Sequence, residues 1–156
     1  MNRLRRRLLR AGLAAGTLTA SLAAGLLRPL QALGGEWPKA AFDATDVGDA
    51  MKDAGIVDPA ATEDILIKAP EIAENGAQVP IEILSNLPDT RVIYIFVDKN
   101  LQPMAGSFAL MNGAEPFVST RIKMAETSSL RVVVQAGGKY FMATREIKVT
   151  IGGCGT

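Results

Sequence analysis

Chemistry in this chain concentrates on one thiol. Cys154 is the only cysteine of 156 residues, and it stands between Gly152-Gly153 and Gly155. Glycines carry no Cβ, so this segment has little side-chain surface to bury and much backbone freedom to lose on ordering. Three readings of the thiol follow. A lone cysteine is commonly a small buried residue, which the flanking glycines oppose. An unpaired cysteine in an exported protein is also a site for an intermolecular disulfide. The third reading is a thiol that carries a covalent group on a thin, extensible arm.

The elements before the arm decide how it is presented. Residues 145–151 read Arg-Glu-Ile-Lys-Val-Thr-Ile, the alternation of a half-buried strand. Three residues of extended chain beyond Ile151 span roughly 10 Å, enough to enter another protein's cleft. The thiol has no built-in activator. An unperturbed cysteine is only about 3% thiolate at pH 7. Lys148 is the nearest cation along the chain, the carboxylate of Thr156 disfavours the thiolate, and the sequence contains no histidine, so a Cys–His pair is impossible. The chain reads as a carried substrate, with catalysis supplied by whatever receives the arm.

The ending Gly-Gly-Cys-Gly resembles the C-terminal Gly-Gly-Cys-Gly-Gly of the SoxY family, the sulfur-carrier subunits of the thiosulfate-oxidising Sox system. The similarity continues upstream through KAAFDATDVGDAMK, IKAPEIAENGAQVPIEILSNLPDTRVIYIFVDKN, PFVSTRIKMAETS and REIKVTIGGCGT, covering essentially all of residues 39–156. Gly152, Gly153, Cys154 and Gly155 match the family ending, and Thr156 stands in place of its final glycine. The resemblance implies that Cys154 is the covalent attachment point for sulfur intermediates, with no other cofactor. It also implies a heterodimer with a SoxZ-like β-sandwich subunit, and an immunoglobulin-like fold. Further partners implied are a haem enzyme that conjugates thiosulfate, a hydrolase that releases sulfate and a sulfane dehydrogenase. The alternative is a structural or interaction β-sandwich subunit whose cysteine forms an intermolecular disulfide.

Residues 1–35 have the composition of an export signal. Arg3, Arg5, Arg6, Arg7, Arg10 and Arg28 are accompanied by no acidic residue, and an apolar stretch runs over 11–27. A charged leader followed by such a stretch describes a secretory signal peptide, and consecutive Arg5, Arg6 and Arg7 before Leu8-Leu9 suggest the twin-arginine type. A membrane anchor is the competing reading, although about 17 residues with three glycines is near the lower limit for a span. Cleavage falls between Ala24 and Gly35, and the expected location is the periplasm. The remainder keeps all 16 acidic residues and 11 of the 17 basic ones, a net charge of −5. An acidic domain without a basic stripe is a poor nucleic-acid binder.

The expected layout is a β-sandwich domain over 36–151 followed by the arm at 152–156. A helix is expected over 45–54, with Val47, Ala50, Met51 and Ala54 on one face, Thr45 or Asp46 as cap and Gly55 at its end. Strands are expected over 64–69, 79–84, 91–97, 108–111, 117–124, 129–136 and 139–151, with 72–78 as a loop and Gly137-Gly138 as a hairpin turn. About seven strands without alternating helices indicate an all-β, immunoglobulin-like antiparallel sandwich. The run 91–97 is apolar on both faces, and in a domain of about 121 residues such faces call for a partner's cover. Asp43, Asp46, Asp49 and Asp53 fall on the solvated face of the first helix, where helix-dipole compensation accounts for Asp46 and Asp49. Met104, Met111, Met124 and Met142 are scattered as core fillers, so no metal site is expected. The chain holds no Ser–His pair, phosphate-binding loop or zinc motif, and reads as a non-catalytic subunit.

Overall fold

The computed structural model describes residues 38–111 and 113–150. Two helices come first: α1 (Lys39–Asp43) and α2 (Val47–Asp53). Nine strands follow: β1 (Ala60–Ala61), β2 (Ile65–Lys68), β3 (Ile72–Ala73), β4 (Val79–Ser85), β5 (Thr90–Val97), β6 (Met104–Ala109), β7 (Phe117–Ile122), β8 (Ser128–Ala136) and β9 (Lys139–Val149). They form two sheets. The larger is ordered β1-β9-β8-β5-β6, with β3 also on β9, and the smaller is β2-β4-β7. The expected β-sandwich is present, and its seven longer strands match the seven read from the sequence.

β5 and β8 form the centre of the larger sheet because their sequences are apolar on both faces. Ile93, Ile95 and Val97 of β5, with Leu130, Val132 and Val134 of β8, pack inward against Ile81, Ile83 and Val118 of the smaller sheet. Tyr94, Phe96 and Val133 face the other way, and there Ala41, Ala50 and Ile56 of the helical segment pack on them. The second apolar face is therefore covered by the chain's own N-terminal helices. The argument that this face calls for a partner subunit is corrected accordingly. Burial raises the Tyr94 hydroxyl above its ordinary pKa, with Tyr140 adding to the effect. Asp98 takes both Nε (2.7 Å) and Nη2 (2.8 Å) of Arg131 at the end of β5 and raises the guanidinium pKa further.

Local details follow from elementary constraints. Asp46 caps α2, accepting from Gly48 N at 2.7 Å and Asp49 N at 3.3 Å. Gly55 closes the helix at φ +74°. Gly137 and Gly138 adopt φ +54° and +77°, the double positive that a two-residue hairpin turn requires.

Four expectations need correction. The helix α1, five residues after Pro38, was not foreseen. The segment 72–78, expected as loop, contributes β3, and Ala60–Ala61 forms β1; both pair parallel to β9, so the fold is not wholly antiparallel. β6 begins at Met104 instead of 108, because pairing with β5 organises a stretch of low strand propensity, and the register shifts between Ile95 and Phe96 as the strand bends. On the outer face of the smaller sheet, Leu66, Leu84 and Phe117 stand in one cross-strand row, partly exposed.

Asp46→Ala should remove the α2 cap and cost about 1 kcal/mol of stability, measurable by urea unfolding. The lid over Phe96 depends on this short helix. An unchanged midpoint would show that α2 does not rely on its cap.

Candidate functional site

Cys154, Gly152, Gly153 and Gly155 lie outside the described residues, as do Arg5, Arg6 and Arg7. What is described is the root of the arm, the end of β9 up to Thr150, and it is held from both sides.

On one side, Thr127 extends the β8 pairing beyond Ser128↔Ile147. Its hydroxyl accepts from Val149 N at 3.0 Å and reaches Val149 O at 3.5 Å, standing in for a backbone partner. On the other side runs β3. Glu71 O accepts from Lys148 N at 2.9 Å, and Ala73 O accepts from Thr150 N at 3.1 Å. Thr150 Oγ1 also donates to Glu74 O at 3.5 Å. Backbone groups of β9 are thus satisfied on both edges to within four residues of the thiol.

Gly76 makes this convergence possible. Its carbonyl accepts from Met124 N at 2.7 Å. A Cβ here would lie 2.3 Å from Met124 O and 2.9 Å from Val149 Cγ1. The sequence marks Asn75-Gly76 as the tight point of a turn, and Asn75 Oδ1 does accept from Ala77 N at 2.9 Å. The glycine, however, is required by close approach to Met124 and Val149.

Beside the root, Glu71, Ile72, Arg145, Glu146 and Lys148 line a shallow groove of about 460 Å³. Arg145 is fixed by donation from Nη1 to Ile67 O at 3.0 Å, which ties β9 to β2 between its two short parallel partners. From Thr150, four extended residues carry the thiol about 13–14 Å outward. The described chain is thus hydrogen-bonded as far as Thr150, four residues before Cys154 in sequence.

The other residues singled out by sequence do not converge on this place. Asp46 is a helix cap and Asp43 pairs with Lys39. Met124 packs between the sheets, Met104 and Met142 lie beneath the helices, and Met111 is exposed. Among the described residues, no three His, Cys, Asp or Glu side chains gather in a way that would hold a metal ion. Residues 71–74, Gly76 and Thr127 were missed as functional positions. Only Asn75-Gly76 left a signal in the sequence.

Comparison with known proteins bears on the same residues. The family of sulfur oxidation protein SoxY matches residues 51–154, from within α2 to the cysteine itself. A solved structure of the sulfur carrier protein SoxY from Chlorobium limicola f thiosulfatophilum is 46% identical, covering 68% of this chain and 97% of that one, with a TM-score of 0.61. A superoxide reductase (neelaredoxin) from Ignicoccus hospitalis is similar at 23% identity and a TM-score of 0.51, covering 57% of this chain and 82% of its own. Its E23A form gives the same two values over 66% and 88%. Those two likenesses concern the fold alone. No curated protein matches the chain.

Gly76→Ala should push apart the loop, Met124 and Val149 and cost about 1–3 kcal/mol. Thr127→Val should leave the Val149 amide without its acceptor, so that its hydrogen exchange accelerates at least tenfold while β5 amides are little changed. Unaltered exchange at Val149 would show that Thr127 does not hold the root.

Proposed function

The chain belongs to the SoxY family and is a sulfur carrier of the Sox system; from that premise we propose that it holds the intermediates of periplasmic thiosulfate oxidation on the thiol of Cys154. The observation that carries this reading is the family match running to Cys154, four residues in sequence after a strand end whose backbone is clamped as far as Thr150.

In the first step a haem partner removes two electrons as the Cys154 sulfur bonds to the outer sulfur of thiosulfate. One proton leaves the thiol, and the arm then bears a chain of two sulfurs ending in sulfonate. Water attacks the sulfonate sulfur in a hydrolase, releasing sulfate and one further proton and leaving a persulfide. A sulfane dehydrogenase then takes six electrons from that outer sulfur while three waters supply its oxygens and seven protons leave, and a final hydrolysis releases a second sulfate with one proton and restores the thiol. Each enzyme must take the thiol into its own site, which explains why the chain supplies no base. With no histidine anywhere in the sequence, deprotonation of Cys154 falls to the receiving enzyme.

The root has a mechanical part in this scheme. Thr127, Ala73 and Glu71 fix where the arm starts, so a docked enzyme searches only the volume swept by the residues after Thr150. The glycines around Cys154 keep the arm narrow enough for a channel. A SoxZ-like subunit completes the proposed carrier as a heterodimer, and residues 1–35 direct export, through the twin-arginine route.

Cys154→Ser should abolish thiosulfate-dependent turnover in a reconstituted system, with stability changed by less than about 0.5 kcal/mol. Replacing Gly152 and Gly153 together with valine should leave alkylation of the thiol by iodoacetamide at the wild-type rate, yet reduce turnover through added bulk and stiffness. Normal turnover in either variant overturns the carrier-arm reading. Mass spectra of protein from its native compartment should show sulfur adducts on Cys154; a stable interchain disulfide alone would favour a structural subunit.

Export has its own test. The N-terminus of the exported protein should fall between Ala24 and Glu36, and changing Arg6 and Arg7 to Lys should block its appearance in the periplasm. Functional protein that retains Met1 would overturn the assignment of a cleaved signal.

A further inference from the structure

The turn between β3 and β4 holds a pair of residues whose chemistry the carrier scheme does not use. Asn75-Gly76 is one of two Asn-Gly pairs in the sequence, the other being Asn112-Gly113. A glycine after asparagine leaves its peptide nitrogen open to the asparagine side chain, because no Cβ stands in the way. The structure adds three features. Asn75 is exposed to water. Its Oδ1 accepts from Ala77 N at 2.9 Å, and the ring closed by that bond contains both Asn75 Cγ and Gly76 N. Among the described residues, the Gly76 N–H donates to no acceptor, so nothing occupies that nitrogen. The bond that closes the turn, from Gln78 N to Asn75 O, is long at 3.3 Å. Other asparagines differ. Asn100 uses both ends of its amide, on Lys123 O at 2.7 Å and Ala125 N at 2.9 Å, and a leucine follows it, as one follows Asn86.

The chain is anchored differently on the two sides of Asn75. Before it, Ala73 O accepts from Thr150 N at 3.1 Å and Glu74 O accepts from Thr150 Oγ1 at 3.5 Å. After it, Gly76 O accepts from Met124 N at 2.7 Å. Asn75 is the one residue between Glu74 and Gly76, so its backbone length sets the span between these anchors. Gly76 has no room to shift inward. An atom added at its Cβ position would meet Met124 O at 2.3 Å and Val149 Cγ1 at 2.9 Å. One extra backbone atom at position 75 lengthens the span by roughly 1.5 Å and pushes on both anchors.

We propose that Asn75-Gly76 is a site of spontaneous deamidation, and that its isoaspartyl product loosens the end of β9 by lengthening the turn between its anchors. Gly76 N bonds to Asn75 Cγ; the displaced side-chain nitrogen takes the proton from Gly76 N and leaves as ammonia. A five-membered succinimide remains. Water then opens the ring at one of its two carbonyls. Attack at Cγ restores an ordinary backbone with a carboxylate at position 75. Attack at the main-chain carbonyl routes the chain through Cβ and Cγ, which adds one backbone atom. The net change is one water taken up and one ammonia lost, with no oxidant or reductant. Both products place a negative charge next to Glu74, and only the second lengthens the turn. A molecule changed in this way keeps its sandwich core while the hold on Thr150 weakens. The inference does not depend on what Cys154 carries.

The test ages the protein, as purified from its host, at mildly alkaline pH. Peptide mapping at intervals reads each asparagine for a gain of about 1 Da, and fragmentation distinguishes isoaspartate from aspartate. An isoaspartyl methyltransferase with a labelled methyl donor counts the isomer independently. Position 75 should convert at least about tenfold faster than Asn86 and Asn100, where a leucine side chain obstructs the attack. The aged fraction, separated by its added negative charge, should exchange its Met124 and Thr150 amides at least about tenfold faster than fresh protein, while β5 amides stay slow. Two variants separate the causes. Asn75→Asp carries the charge on a backbone of normal length, and when freshly prepared it should exchange like fresh wild type. Asn75→Ser keeps an acceptor for Ala77 N without a reactive amide, so after the same ageing its exchange should be unchanged. The proposal is overturned if position 75 converts no faster than Asn86, or stays intact where Asn112 has converted. Isoaspartate at 75 with unaltered exchange at Met124 and Thr150 would also overturn it, as would full acceleration in Asn75→Asp, which would assign the effect to charge. Each of these outcomes leaves the carrier reading in place, since that reading turns on Cys154→Ser.

Discussion

The backbone at the end of β9 is hydrogen-bonded from two directions, by the main chain of Glu71 and Ala73 and by the Thr127 hydroxyl, and the position of the chain at Thr150 depends on that constraint. A strand that leaves its sheet ordinarily frays, because its last amides and carbonyls turn to water. Here Lys148 and Thr150 donate to Glu71 and Ala73 on one edge, while Thr127 completes the other edge at Val149. The end of β9 is consequently fixed in place as far as Thr150.

That boundary is supported by packing some distance away. β3 reaches β9 only because the chain crosses from β2 in the smaller sheet, and Arg145 ties the two strands at Ile67 O. The apolar layers on both faces of β5 and β8 anchor the larger sheet, in which β9 lies beside β8. Inward lies the sandwich core around Ile95 and Val132, and outward the helical cover around Phe96 and Ala50. Each layer uses a different periodicity, two residues for the strands and near 3.6 for α2.

Much of this was legible in the sequence where one residue pattern has one structural solution. The unbroken apolar run of β5 signals burial on both faces, Gly137-Gly138 signals a hairpin, and Asp46 with Val47, Ala50, Met51 and Ala54 signals a capped amphipathic turn. β1 and β3 were illegible because two residues carry no periodicity; their pairing is dictated by β9, far along the chain. α1 has only five residues, and the first half of β6 contains Ala105-Gly106, whose local preference is overridden by β5. At the site, composition alone marked Cys154 and its glycines. The clamp is built mostly from main-chain atoms of 71–76, and main-chain acceptors leave no mark on residue type. Gly76 was visible as a turn glycine, but its closeness to Met124 is a tertiary fact.

The parallel pairing of β1 and β3 with β9 also governs when the end of β9 becomes fixed. Those partners are separated from β9 by roughly eighty residues, a loop whose closure entropy is met only after the intervening sheets have formed. β9 is the last strand in chain order, so neither pairing exists while the polypeptide is still being made. A chain arrested or mispacked at an earlier stage leaves the end of β9 without its β3 edge. The long-range closure is thus a check written into topology: the end of β9 takes its place only in a molecule whose sheets have already formed.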